Sequence, residues 1–205
     1  DFVDAERRRK SLRKFRQEYE ASFETSTGRI YEDYGKHNWT DARIEKHEQL
    51  IWCHDFNYTP LSSAIGVIRD GDIYLLEEIV LTSAVAQQSA REFIDRYAHH
   101  DNKRVLIYGD PSGRAGEKHG HESDYTNIEQ VLRDNGWSYT RRVQPSTRSI
   151  KDGQNAVRAK ILNAMGETSL FVNPNTAPYI HKSLATGTLK KGSTFLEDES
   201  SEYQH

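Results

Sequence analysis

Apolar positions along the chain fall into short runs separated by polar turns, a pattern typical of strands alternating with amphipathic helices. Six apolar runs predict strands: residues 49–55, 61–70, 72–81, 103–110, 138–143 and 169–173. Segments with helical periodicity predict helices at residues 5–24, 84–99, 149–165 and 176–186, and one more that begins at a capping box and ends at Gly136. The order predicts a mixed α/β sheet, three antiparallel strands followed by parallel ones, flanked by helices.

Local signals set the expected ends of several elements. Asp70-Gly71 lies between the second and third strands, which predicts a tight hairpin, and Lys191-Gly192 indicates another turn in the tail. Thr126 and Glu129 have the spacing of a capping box, so we expect a helix to begin there. Residues 25–48 are polar and without periodicity, as in a connecting segment.

Length and composition limit the classes of protein. The chain has 205 residues, which suits one soluble domain with a core and a small appendage. No apolar run reaches the length of a membrane span, and the N-terminal "DFVDAERRRK" lacks the apolar core of a signal peptide. Cys53 is the only cysteine, so a disulfide framework is excluded and a reducing compartment is expected.

Two acids follow two of the predicted strands. Asp55 ends the first strand and Asp110 ends the fourth, so the two carboxylates come close if these strands pair. Close carboxylates repel unless a cation lies between them, and hard oxygen ligands suit Mg²⁺ or Mn²⁺. The alternative, that both acids only start loops or cap helices, stays equally open.

One segment is basic although the net charge of the chain is −3. Residues 141–160, "RRVQPSTRSIKDGQNAVRAK", hold six Lys or Arg residues against one acid. Lys151 and Arg158 are two helical turns apart and share a helix face, and with Arg148 they are candidate contacts for a nucleic-acid backbone. A solvated helix face is the competing interpretation.

The sequence has no P-loop and no H-E-x-x-H motif, and His119 and His121 fit surface loop positions better than metal ligands.

Several segments together resemble a known family. "HDFNYTPLSSAIGVI", "YGDPSGRAG" followed by "SDYTNI", and "NAVRAKILNAMGETSLFVNP" are similar, in this order, to the two acid-bearing strands and the later helix and strand of the nuclease domain of the large terminase subunit of tailed bacteriophages. "FRQEYEASFETSTGRIYEDY" is similar to the segment that links its packaging ATPase to the nuclease. That nuclease domain has a ribonuclease H-like fold.

The resemblance implies a metal-dependent endonuclease that cuts concatemeric viral double-stranded DNA during genome packaging. Asp55 and Asp110 would be catalytic metal ligands for two Mg²⁺ or Mn²⁺ ions. The family's third acid lies in a His-x-x-Asp-Ala pattern, so with His205 as the histidine it is expected just beyond the last residue. Residues 1–40 would be the linker or helical segment from the ATPase domain, and residues 41–205 the nuclease domain without its extreme C-terminus.

The implied partners are double-stranded DNA, the ATPase domain of the same polypeptide, the portal and the small terminase subunit, with no membrane involved. The implied location is the host cytoplasm, outside the mature virion. Two other interpretations remain: a Holliday-junction resolvase or transposase-like catalytic core, and a non-catalytic DNA-binding or docking module that uses the basic segment.

Overall fold

The computed structural model describes residues 2–19, 28–56, 60–115, 122–146, 149–193 and 195–198. Its strands are β1 (Leu50–Asp55), β2 (Leu61–Arg69), β3 (Asp72–Leu81), β4 (Arg104–Gly109), β5 (Ser138–Arg141) and β6 (Leu170–Val172). Its α-helices are α1 (Phe2–Arg9), α2 (Leu12–Tyr19), α3 (Ala86–Arg96), α4 (Asp124–Asp134), α5 (Ile150–Ile161) and α6 (Pro178–Thr186). Two 3-10 helices cover Lys36–Asn38 and Pro111–Arg114. Each of the six predicted strands is confirmed.

The six strands form one mixed sheet in the order β5-β4-β1-β2-β3-β6. β1 pairs antiparallel with β2 and parallel with β4, and β4 pairs parallel with β5. The predicted hairpin between β2 and β3 is confirmed, because Asp70 and Gly71 both have positive φ, at 53° and 91°. The predicted fold class, a ribonuclease H-like sheet of antiparallel then parallel strands with flanking helices, is confirmed.

The chain divides into two compact units. The first, here called the sheet unit, is built from residues 42–70 and 75–147 and contains both candidate acids. Strand alternation directs Leu50, Trp52 and His54 of β1 to the face that α3 and α4 cover. Trp52 is fully buried there and stacks on Phe93 of α3, with ring centroids 4.3 Å apart.

The second, here called the terminal unit, comprises residues 1–41, 71–74 and 148–204. Its buried apolar residues are Phe15, Ile30, Tyr34, Ile161, Leu170, Val172, Ala177 and Leu184. Asn38 is fully buried and donates from Nδ2 to the carbonyls of Ile161 and Leu170, both at 3.0 Å. This amide therefore ties the end of α5 to β6.

The single helix predicted over residues 5–24 is wrong within the described part. α1 ends at Arg9 and α2 begins at Leu12, because Ser11 leaves the helix to bridge with Asn163. The Ser11 hydroxyl then accepts from the Lys14 amide at 3.3 Å, as the cap of a new helix. Residues 20–24 lie outside the described residues.

Two later helices also begin or end at residues other than those predicted. α4 begins at Asp124 because Ser123 is its N-cap, with Oγ accepting from the Thr126 amide at 3.1 Å, so the predicted Thr126–Glu129 capping box is wrong. α5 ends at Ile161 instead of 165 because Asn163 turns the chain by accepting from the amides of Met165 and Glu167, both at 2.9 Å. In the described part of the chain, no helix is long and apolar enough to cross a membrane.

Candidate metal and nuclease site

The two candidate acids lie at the carboxyl edge of two paired strands. The parallel register of β1 and β4 places His54 opposite Gly109, and Asp55 and Asp110 are the next residues along. Neighbouring strands are about 4.8 Å apart, so the main chains of the two acids are adjacent. The predicted pairing of the first and fourth strands is thereby confirmed, whereas metal binding by the two acids stays a prediction.

The main chain and side chain of Asp110 are both held by hydrogen bonds. Asp110 caps the 3-10 helix Pro111–Arg114, with Oδ1 accepting from the Ser112 amide at 2.7 Å. Its carbonyl accepts from the Tyr125 hydroxyl at 2.9 Å and from the Gly113 amide at 3.3 Å. The side-chain bond sets the orientation of the carboxylate before any cation binds.

Two glycines allow this close packing. Gly109 has φ of +153°, and a Cβ atom there would lie 2.6 Å from both the His54 carbonyl oxygen and the Tyr125 hydroxyl. A Cβ atom on Gly113 would lie 2.8 Å from Cε2 of Tyr125 and would also overlap the Phe56 ring. Any larger residue at either position would therefore displace the chain on one side of Asp110.

Aromatic rings fill the space behind the acids, forming a cluster of Trp52, His54, Phe56 and Tyr125. The His54 ring lies 4.1 Å from Trp52 and stacks on Phe56 at 5.2 Å between centroids. Neither ring nitrogen of His54 has a hydrogen-bond partner among the described residues. Burial lowers the pKa of His54 to about 3, so this histidine is neutral at physiological pH.

Positive charge lies beside the cluster. The Arg141 guanidinium is 5.4 Å from the centre of the Tyr125 ring and forms a 3.0 Å ion pair with Glu129. Burial, and after it the charge of Asp110, raises the pKa of Tyr125, so its hydroxyl stays protonated and remains a donor. Burial also raises the pKa of Asp124, the first residue of α4.

The candidate DNA contacts lie in the terminal unit, and their environments differ. Lys151 is exposed on α5. Arg158 is partly buried and donates from Nε to the Ile30 carbonyl at 2.7 Å and from Nη1 to Asn155 Oδ1 at 3.2 Å. Arg148 lies outside the described residues, as do His119 and His121. DNA binding by these residues stays a prediction, but Arg158 already bonds to the protein.

The residues present suit a hard divalent cation. Asp55 and Asp110 supply carboxylate oxygens from neighbouring strands, and Mg²⁺ and Mn²⁺ prefer such ligands while keeping several waters. Among the described residues, no group of three or more His, Cys, Asp or Glu side chains is placed to hold a metal ion. A metal site at this edge would therefore need ligands beyond the described clusters, and Asp55 and Asp110 stay its predicted members.

The sequence pattern does not identify Tyr125, Gly109 or Gly113 as residues of the site. The glycines on either side of Asp110 were a usable signal, because a glycine next to a functional side chain often marks a close approach of the main chain. Tyr125 carried no such signal. Its contact with Asp110 spans a loop, and the helical pattern places it only as one more apolar residue of α4.

No family model and no curated protein matches the sequence. Solved structures are similar in fold: the large terminase of the thermophilic bacteriophage D6E gives a TM-score of 0.64 at 11% identity over 92% of this chain. The same terminase in complex with ADP gives 0.65 at 11% identity. The P22 large terminase nuclease domain gives 0.59 at 15% identity, covering 86% of each chain.

These likenesses establish the fold. The chain spans 44% of the length of the D6E large terminase, and most of the P22 nuclease domain. The predicted resemblance to large terminase nuclease domains is confirmed at the level of structure.

Proposed function

We propose that this chain is the nuclease domain of a large terminase subunit, a metal-dependent endonuclease that cuts concatemeric viral double-stranded DNA during genome packaging. The observation that carries the proposal is the placement of Asp55 and Asp110 on the adjoining ends of β1 and β4. Similarity in fold to the D6E and P22 proteins supports it.

Asp55 and Asp110 would hold Mg²⁺ or Mn²⁺, two ions in the active state. The bound ions would activate a water and stabilise the leaving oxygen of a phosphodiester. A third acid following His205 would complete the ligand set, as the family resemblance implies. The contribution of the described residues is to fix the Asp110 carboxylate through the Ser112 amide and to close the space behind it with the aromatic cluster.

Binding of DNA requires local positive charge, because the chain carries a net charge of −3. Lys151 is the candidate phosphate contact with an exposed side chain, and Arg148 and Arg158 are the further candidates. Contacts to phosphates carry no sequence information, so the proposed cleavage is weakly selective for sequence.

Further proposed partners follow from the resemblance. The ATPase domain of the same polypeptide would precede this chain. In support, this chain spans only 44% of the D6E large terminase. The portal and the small terminase subunit would be the other partners. The proposed location is the host cytoplasm.

Cleavage of supercoiled plasmid in Mg²⁺ or Mn²⁺ tests the proposal. A chain extended past His205 should nick and linearise the plasmid, residues 1–205 alone should cleave it slowly, and Asp55→Asn and Asp110→Asn should each abolish detectable cleavage. Asp95→Asn, which removes an exposed carboxylate from α3, should cleave like wild type.

A four-way junction in the same assay separates the alternatives. Cleavage restricted to the junction would favour a resolvase. Metal-independent DNA binding without cleavage of either substrate, by the wild-type chain and by a chain extended past His205, would favour a docking module. Either result would contradict the proposed function.

A further inference from the structure

We infer that Tyr125 is a positioning residue: it holds the main chain at Asp110 against the end of β1, and so sets the placement of the Asp110 carboxylate for a divalent cation. The inference rests on the proposed function for the identity of the ligand. The contacts of Tyr125 carry the positioning role.

The hydroxyl of Tyr125 contacts Asp110 directly. Tyr125 is fully buried, and its hydroxyl donates to the Asp110 carbonyl at 2.9 Å. Among the described residues, the other donor to this carbonyl is the Gly113 amide, at a longer 3.3 Å. Loss of the hydroxyl would leave a single, weaker bond on the main chain that carries the carboxylate.

The ring of Tyr125 also reaches the chain that follows the other acid. It meets Phe56, the residue after Asp55, edge to face at 4.8 Å, and His54, the residue before Asp55, at 6.5 Å. One side chain therefore contacts the neighbours of Asp55 and the main chain of Asp110.

The fit around Tyr125 leaves no spare space. A Cβ atom on Gly109 would lie 2.6 Å from the Tyr125 hydroxyl, and a Cβ atom on Gly113 would lie 2.8 Å from the Tyr125 ring. Such a fit transmits a displacement of the ring to the segment that bears Asp110, because packed interiors deform little.

α4 holds Tyr125 in place. Ser123 caps the helix, which fixes the first turn, and Tyr125 lies in that turn. The Arg141 guanidinium lies over the Tyr125 ring. Arg141 is itself held by a 3.0 Å ion pair with Glu129, which is also on α4. Tyr125 is thus anchored on a helix, which suits a residue that positions a ligand.

Tyr125→Phe tests the inference, because it removes the hydroxyl and keeps the ring. Tyr97→Phe is the matched control: Tyr97 is also buried in the sheet unit, and its hydroxyl donates to Glu77 Oε2 at 2.8 Å, away from Asp110. Both variants lose one buried tyrosine hydrogen bond, so a merely structural role would affect them alike.

The first measurement is amide hydrogen exchange in the metal-free protein. Tyr125→Phe should speed exchange at Ser112, whose amide bonds to the Asp110 carboxylate, and Tyr97→Phe should leave that amide unchanged. The second is Mn²⁺ affinity by titration calorimetry. Tyr125→Phe should weaken it about tenfold, as loss of an outer-shell contact commonly does, while Tyr97→Phe should retain the wild-type value.

A second variant covers the case in which Tyr125→Phe fails to fold. Gly113→Ala keeps the hydroxyl, but its Cβ atom would overlap the rings of both Phe56 and Tyr125, so it should also speed Ser112 exchange and weaken Mn²⁺ binding. Unchanged exchange at Ser112 in the folded variants would overturn the positioning role. If Tyr125→Phe speeds exchange at Ser112 but the wild-type protein binds no Mn²⁺, the positioning role stands. The proposed function would then be overturned, and with it the cation that Tyr125 is inferred to serve.

Discussion

His54 lies inside the aromatic cluster, directly before Asp55, with 5% of its surface exposed. Its two ring nitrogens have no partner among the described residues, and a buried polar group without a partner costs about 1–3 kcal/mol. The stacking contacts with Trp52 and Phe56 offset part of this cost. We expect the polar atoms of His54 to destabilise the fold.

His54→Leu should therefore raise the free energy of unfolding, by about 1 kcal/mol. His100→Leu is the control, because His100 is equally buried but its Nε2 bonds to the Glu48 carbonyl at 2.8 Å, and that variant should be less stable than wild type. Urea denaturation measures both. A loss of stability in His54→Leu as large as that in His100→Leu would contradict this account of His54.

Individual residues of the site differ in how far the sequence reveals them. Asp55 and Asp110 were predictable, because an acid directly after an apolar strand is a local pattern. Tyr125 was not, because its bond to Asp110 depends on how α4 packs against the end of β4. Helical spacing makes Arg158 a candidate DNA contact, whereas the fold directs its guanidinium to the Ile30 carbonyl.

At the level of elements, an ion pair ties β1 to β2 at the ends opposite the acids. Glu48 precedes β1 and accepts from Arg69, the last residue of β2, at 2.6 Å and 2.8 Å. The hydrogen bond from Arg69 lowers the pKa of Glu48 below its usual value of 4.5. The ion pair thus stabilises the fold fully above that value and is lost as pH falls through the lowered pKa of the folded state.

Glu48→Gln should consequently destabilise the protein near pH 7, by about 1 kcal/mol because both partners are partly exposed. The difference from wild type should shrink as the pH falls below 4.5, through the lowered pKa of Glu48. Glu92→Gln, which removes an exposed pair with Arg96 on α3, should be nearly neutral. Equal pH dependence of wild type and Glu48→Gln, measured by chemical denaturation, would show that the pair contributes nothing.

α5 allows DNA binding to be separated from folding. Lys151→Glu should weaken binding to all DNA sequences alike and reduce the slope of log affinity against log salt, by about one per lost phosphate contact. Arg158→Met should instead lower stability, by about 1–2 kcal/mol, because it removes a charged hydrogen bond to the Ile30 carbonyl. Unchanged affinity and salt slope in Lys151→Glu, measured by fluorescence anisotropy, would favour a solvated helix face.

Strands were predicted better than helix ends. The apolar runs and the Asp70-Gly71 turn are local signals, and they located each strand found in the described residues. The break at Ser11 was not predictable, because it arises from a bridge to Asn163, which is far away in sequence. The early end of α5 depends on the turn in which the Asn163 side chain accepts from the amides of Met165 and Glu167.

At the level of the whole molecule, the fold is that of large terminase nuclease domains although identity to the compared structures is only 11–15%. At such identity a shared fold does not transfer a function. What the fold does supply is the parallel pairing of β1 and β4, which brings together two acids 55 residues apart in sequence. The proposed function therefore depends on whether these two acids hold a divalent cation.

Paramagnetic broadening by Mn²⁺ in a two-dimensional amide NMR spectrum tests that claim most directly. At substoichiometric Mn²⁺, the amide signals of residues 53–56, 109–110 and 112–113 should broaden first, and Asp55→Asn should remove the effect while Asp95→Asn preserves it. Broadening that spares these two segments, or that persists unchanged in Asp55→Asn, would contradict the assignment of Asp55 and Asp110 as the metal site.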